Sequence, residues 1–248
     1  MTQLNMTMWS MVVDCPAVAA KAQEGQFVHL LPDGSYTLRR PISICEIDKE
    51  AGTLRLVFEV RGDGTKTLSQ LKAGDTVDLL GPLGHGFTTL PENASAVMIG
   101  GGIGTPPMLP LAQHYGKNGT VICGFRNKDA AILQSDFAKT GADTILCTDD
   151  GSAGHHGLVT EPLKALLEQK KTDIIYACGP MPMLKAVAAL AKEKGIRCEV
   201  SLEERMGCGV GACLVCACNI YLEDGSVHAG HVCKDGPVFD AERVVWNG

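Results

Sequence analysis

The chain has 248 residues, 45% hydrophobic and 20% charged, with a formal net charge of −6, which is ordinary for a globular protein and enough for two compact domains. No basic run is present to neutralise phosphates, so nucleic acid is a poor partner. No apolar run reaches the roughly 18 residues of a membrane-spanning helix, and the start "MTQLNMTMWSMVVDC" lacks the basic and apolar stretches of a secretion signal.

The expected location is therefore the cytoplasm, away from membranes. Thiols stay reduced there, which disfavours a disulfide framework for the eleven cysteines. Cys15, Cys45, Cys123, Cys147, Cys178 and Cys198 are scattered, mostly in apolar, strand-like segments. All but Cys178, which ends a strand, read as small buried hydrophobes. The 29 glycines and 5% aromatics point to tight turns and close backbone approach to ligands.

Residues 1–92 read as β structure. "GQFVHLLP", "SYTLRRPISICEI", "GTLRLVFEV" and "DTVDLLGPLG" are short, rich in Val, Leu, Ile and Thr, and punctuated by Gly, Asp and Pro. Such spacing predicts a small closed antiparallel barrel. Within it, Arg40-Pro41-Ile42-Ser43 puts a guanidinium fork and a hydroxyl on one strand, groups that suit a phosphate or a flavin edge. Alone, such a run is usually a solvated strand. Gly64-Thr65 opens a short helix, whose free N–H groups suit a phosphate or whose threonine is an ordinary cap.

From about residue 93 to 200 compact apolar runs alternate with helical stretches. The strands are "SAVMIG", "TVICGF", "DTILCT", "DIIYACG" and "RCEVSL". Between them fall "TPPMLPLAQHYGK", "DAAILQSDFAKTG", "LVTEPLKALLEQKK" and "MPMLKAVAALAKEKG". This alternation predicts a doubly wound parallel sheet. Lys192 and Lys194 suit the last helix end, and Gly195 its left-handed cap.

Gly101, Gly102, Gly104 and Thr105 follow the first of these strands and open a helix, as a dinucleotide loop does, although the last glycine of G-x-G-x-x-G is missing. "CTDDGSAGHHG" and "YACGPMPMLKAV" place further glycines just after strands. Together the three loops predict a nucleotide crevice at the carboxyl edge, with Cys178 and Gly179 facing it. His155–His156 reads as a solvated loop, not a metal site.

Residues 201–248 show neither periodicity, and so small a segment without a core of its own needs a metal or a staple. Its thiols run Cys208-x4-Cys213-x2-Cys216, with Cys233 after sixteen more residues. That is the plant-type spacing of a [2Fe–2S] ligand set. Structural zinc prefers two short-spaced pairs, and the second is missing. Cys218 reads as a packing residue, with Cys216 as the ligand it would rival.

With "RPIS", "GGGIGTPPML" and "CGPMPML" in this order, residues 1–200 resemble the ferredoxin-NADP reductase superfamily. "ERMGCGVGACLVC" with "HVCKDGPVF", and "GPLGHGF" earlier, narrow the resemblance to the electron-transfer subunits of class 1B dihydroorotate dehydrogenases. The resemblance implies FAD on Arg40, Pro41, Ile42 and Ser43, on Val57, Phe58 and Glu59, and on Gly64 and Thr65. It implies a [2Fe–2S] cluster on Cys208, Cys213, Cys216 and Cys233, and NAD over Gly101–Thr105 with Cys178 and Gly179 at the nicotinamide. It further implies an FMN-containing catalytic partner, two of each subunit, that oxidises dihydroorotate in pyrimidine synthesis. Other readings are a related subunit serving ferredoxin:NADP, sulfide or sulfite chemistry, and a non-enzymatic redox sensor. Arg126, Lys128 and Asp129 leave NAD against NADP open by charge alone; the family favours NAD.

Overall fold

A computed structural model describes residues 1–246. The first sheet comprises β1 (Thr2–Gln3), β2 (Met8–Asp14), β3 (Phe27–Leu31), β4 (Arg40–Asp48), β5 (Thr53–Glu59) and β6 (Asp78–Leu83), with short helices α1 (Pro16–Ala19) and α2 (Asp63–Ser69). All pairings are antiparallel, in the order β1-β2-β5-β4-β3-β6. Among the described residues no ladder joins β6 to β1 or β2. The expected closed barrel is thus closed by packing: Met11, Val28, Leu30, Ile42, Leu54 and Phe58 share one interior. Strand β2 went unread in the sequence.

The second sheet runs β10-β9-β8-β7-β11-β12-β15. Its strands are β7 (Ala96–Gly101), β8 (Gly119–Phe125), β9 (Asp143–Thr148), β10 (His155–His156), β11 (Ile174–Cys178), β12 (Arg197–Ser201) and β15 (Val238–Asp240). All are parallel except β15, which pairs antiparallel with β12. The helices are α3 (Met108–Tyr115), α4 (Gln134–Ala138), α5 (Thr160–Gln169) and α6 (Met181–Lys194). α6 ends as expected, with Gly195 at φ 65°. α4 is much shorter than its helical stretch, because Leu133 takes a left-handed φ of 62° just before it. The His155–His156 pair is a short strand beside β9, not a loop. His155 Nε2 lies 3.0 Å from Glu161 Oε2.

The 84–95 segment joins the two sheets and is pinned by buried polar groups. The Thr88 amide donates to Glu199 Oε2 at 2.8 Å, and the Tyr176 hydroxyl donates to the Thr88 carbonyl at 2.9 Å. Arg55 on β5 donates to Asp136 on α4 at 2.7 Å and to Ser10 Oγ at 3.0 Å. Val57 and Met8 pack with Met98 and Val121 of the second sheet and with Met108 of α3.

Apart from β15, residues 202–246 form one hairpin, β13 (Ala217–Tyr221) with β14 (Val227–His231), and loops around it. Cys216, Ile220, Val232, Cys233 and Val244 pack with Val97, Ile175 and Val200 of the second sheet. As the sequence indicated, this tail has no apolar core of its own.

Candidate functional site: a switch-point crevice beside a four-cysteine loop

The parallel strands run β9-β8-β7-β11-β12, so chain direction through the sheet reverses between β7 and β11. Ligands bind open parallel sheets at the carboxyl side of such a switch point. The structure brings Gly101–Thr105 after β7 against Cys178–Gly179 after β11. A Cβ on Gly104 would collide with the Cys178 carbonyl and come within 2.6 Å of the Gly179 amide nitrogen. One on Gly101 would meet Met183 Sδ at 2.6 Å. Gly102 faces open space. Thr105 Oγ1 is buried without a partner among the described residues. The loop after β9 opens at the same edge, two strands away from this pair of loops.

Cys178 ends β11 half-buried beside Ser201, and burial pushes its thiol up to about 12 despite the Ser201 hydrogen bond. It is a neutral group at ordinary pH. Cys45, Cys123, Cys147 and Cys198 are buried, as expected.

On the barrel, β5 packs beside the Gly102–Gly104 turn. Arg40 leans over the start of α2: a Cβ on Gly64 would lie 2.5 Å from Arg40 Nε. Its guanidinium carbon also stacks 5.4 Å above the Tyr36 ring. A glycine at 64 is what lets a cation sit on that helix end. Thr65 caps α2, its Oγ1 accepting from the Arg61 amide at 3.0 Å. Pro41 and Ser43 stay partly exposed while Ile42 turns inward. Phe58 is in the barrel interior, so only its backbone can meet a ligand, and the Glu59 carboxylate is held by Arg61 at 2.6 Å.

The four tail thiols fall into two pairs. Cys208 and Cys213 exchange amide-to-sulfur hydrogen bonds at 3.3 and 3.4 Å. The Cys233 amide donates to Cys216 Sγ at 3.4 Å. Amides of Val210 and Ala212 also donate to Cys208 Sγ, at 3.4 and 3.2 Å, and that of Gly211 to Cys233 Sγ at 3.1 Å. The Val210 amide foremost holds the Cys208 thiol down to about 6. Among the described residues no three His, Cys, Asp or Glu converge as ligands for one ion. Four thiols with backbone amides aimed at their sulfurs fit the donor set of a two-iron cluster. Burial pushes Cys218 up to about 11; it packs against the core, as expected of a non-ligand.

Gly209 has φ +75°, and a Cβ there would lie 2.6 Å from His29 Nδ1. His29, in β3, is fully buried, and burial lowers its imidazole below the usual range. The Cys208 backbone carbonyl lies near enough to oppose that shift, yet neither ring nitrogen completes a hydrogen bond among the described residues. No motif marks His29 in the sequence; it is a lone polar residue in an apolar strand.

A packed antiparallel barrel followed by an open parallel sheet, with a glycine-lined switch point facing the barrel, is the architecture of the flavin- and nicotinamide-dependent reductases. An NADH-dependent reduced ferredoxin-NADP oxidoreductase, solved in work on flavin-based electron bifurcation, superposes with a TM-score of 0.87 at 31% identity, covering 99% of this chain and 87% of that one. Residues 203–245 match the iron–sulfur cluster binding domain of dihydroorotate dehydrogenase B. The electron transfer subunit of dihydroorotate dehydrogenase B (NAD(+)) from Geobacillus kaustophilus is 45% identical over 231 residues, 90% of this chain and 87% of the relative. That from Desulforamulus reducens is 42% identical, over 95% and 92%. The chain belongs to the family of dihydroorotate dehydrogenase B electron transfer subunits.

Proposed function

We propose that this chain takes electrons from a catalytic partner that oxidises dihydroorotate to orotate, and delivers them to NAD+, in pyrimidine synthesis. The overall balance is dihydroorotate plus NAD+ giving orotate, NADH and a proton. The partner carries FMN, two of each subunit make the complex, and it works in the cytoplasm. When bound, FAD and a [2Fe–2S] cluster supply the exchange between hydride pairs and single electrons.

In this reading residues 1–92 are the flavin module, 93–200 the nicotinamide module and 201–248 the cluster module. Arg40 and the α2 start at Gly64–Thr65 hold the FAD phosphates; Pro41, Ile42, Ser43 and the β5 end Val57–Glu59 line the flavin. Gly101, Gly102, Gly104 and Thr105 admit NAD, and Gly179 keeps the opposite wall low. Cys178 is the catalytic residue at the nicotinamide, touching it as a neutral thiol. Cys208, Cys213, Cys216 and Cys233 would hold the cluster as thiolates. Val210, Leu214 and Val215 around this loop are 52%, 61% and 57% exposed, an apolar rim that fits a partner surface.

The observation that carries the reading is the cysteine loop, whose paired thiols lie in the segment matching the dihydroorotate dehydrogenase B cluster domain. The chain alone should oxidise NADH with an artificial dye and show no activity on dihydroorotate. Adding the catalytic partner should restore it. Turnover of dihydroorotate by the chain alone refutes the assignment. A second reading, a subunit of a ferredoxin-NADP oxidoreductase, is favoured by the 0.87 superposition. NADH-dependent ferredoxin reduction, with no response to dihydroorotate and its partner, would select it.

A further inference from the structure

His29 stands in the wall between barrel and tail. Val28 and Leu30 point into the barrel interior. By strand alternation Phe27 and His29 point to the other face, where Phe27 packs with Cys216, Val232 and Cys233. Leu83 lines the same wall. A role in filling space there is met by apolar residues, yet this position holds an imidazole whose nitrogens complete no hydrogen bond among the described residues, with the backbone carbonyls of Cys208 and Arg39 close enough to act on it. In any protonation form the ring carries at least one N–H, and burying such a donor unpaired is costly. The ring lies against Gly209, whose missing side chain admits it, and Gly209 follows Cys208. On the opposite side His29 pairs with Pro41, inside the Arg40–Ser43 run.

We infer that His29 is a positioning residue for the cluster, its ring N–H donating into the Cys208–Gly209 segment of the loaded loop and raising the cluster's reduction potential. The inference rests on the cluster assignment above. Reduction adds negative charge to the thiolate-bound core, so each donor aimed at its surroundings favours the reduced form. The amides of Val210, Ala212 and Cys213 already act on Cys208 Sγ. His29 adds a donor from the barrel itself, on a strand that pairs with the proposed flavin-binding strand.

The test is an EPR-monitored redox titration of the full chain loaded with FAD and cluster, for wild type, His29→Leu and His29→Gln. Iron analysis and the visible spectrum establish loading first. His29→Leu should lower the cluster midpoint by about a tenfold change in the oxidised-to-reduced ratio, about 59 mV for one electron. The flavin midpoint should stay in place, and His29→Gln, which keeps an N–H donor, should recover most of the loss. An unmoved midpoint in fully loaded His29→Leu overturns the inference and leaves the cluster assignment standing; a wild-type chain that binds no iron overturns that assignment. Should His29→Leu fail to load, pulsed EPR of the reduced wild-type cluster with 15N-labelled histidine decides. A histidine nitrogen coupling that disappears in His29→Gln supports the inference, and no such coupling overturns it.

Discussion

Replacing Arg55 by Met tests whether the barrel and the nucleotide sheet are held in register by an ion pair. The guanidinium bridges β5 and α4, donating to Asp136 Oδ1 at 2.7 Å, with Glu46 Oε2 at 3.6 Å. Methionine keeps the apolar stem and removes the charge. Breaking a fully buried pair costs about 3–5 kcal/mol, and an exposed pair is worth about 0–1 kcal/mol. The two side chains are 17% and 25% exposed, so Asp136 regains part of its hydration by turning outward. The Ser10 hydroxyl loses a neighbour it can replace by rotation. A loss of about 2 kcal/mol follows, which for a chain of this size lowers the melting temperature by about 4–8 °C. In a double-mutant cycle with Asp136→Asn the coupling energy should be about 1–2 kcal/mol. Circular dichroism of the FAD-loaded chain reads the stability, and stopped-flow flavin reduction by NADH reads the geometry, which should slow as the domains loosen. A coupling below about 0.3 kcal/mol would show that the pair does not act as a clamp.

Gly104→Ala places a methyl against the Cys178–Gly179 backbone; overpacking of about 1–3 kcal/mol should weaken NADH use roughly tenfold to a hundredfold in the dye assay, with flavin content unchanged. Cys213→Ser and Cys233→Ser each remove one proposed ligand, so both should abolish the cluster's visible absorption while NADH–dye activity persists. Stability should also fall in alkali. Burial pushes Cys45, Cys123, Cys178 and Cys198 up to about 12 each, whereas the unfolded chain ionises its thiols from near pH 9. Above pH 9 the folded state therefore binds more protons, and stability is lost progressively between pH 9 and 12, by about 1.4 kcal/mol per thiol at pH 10. Urea midpoints that stay level from pH 8.5 to 10.5 would contradict this.

What could be read directly from the chain was whatever local spacing controls. The iron–sulfur character of the tail was legible because a loop around a small inorganic core needs fixed cysteine intervals, and residues 203–245 match a cluster binding domain. Five of the seven strands of the second sheet and three of its helices were legible because apolar runs and helical periods alternate cleanly; β10 and β15 are too short to show a pattern. α4 was overread because the apolar pattern of "DAAIL" carries no sign of the left-handed Leu133. β2 was missed because "MWSMVVD" has no clean alternation; its Val12 faces solvent at 61% exposure. The two-by-two grouping of the thiols, the Arg55–Asp136 bridge and the seat of His29 under Gly209 join residues far apart in sequence. No local pattern encodes such meetings; only the folded topology creates them.

The short strand β15 lies only five residues after Cys233 and seals the flank of β12. Without it, β12 would present a row of free amides and carbonyls, the kind of border along which chains stick to one another. Under the proposed assignment of Cys233 as a cluster ligand, iron loading and solubility are tied together: a chain that misses its metal during maturation would hold this hem less firmly, and clumping and proteolytic clearance should then track cluster assembly in the cell.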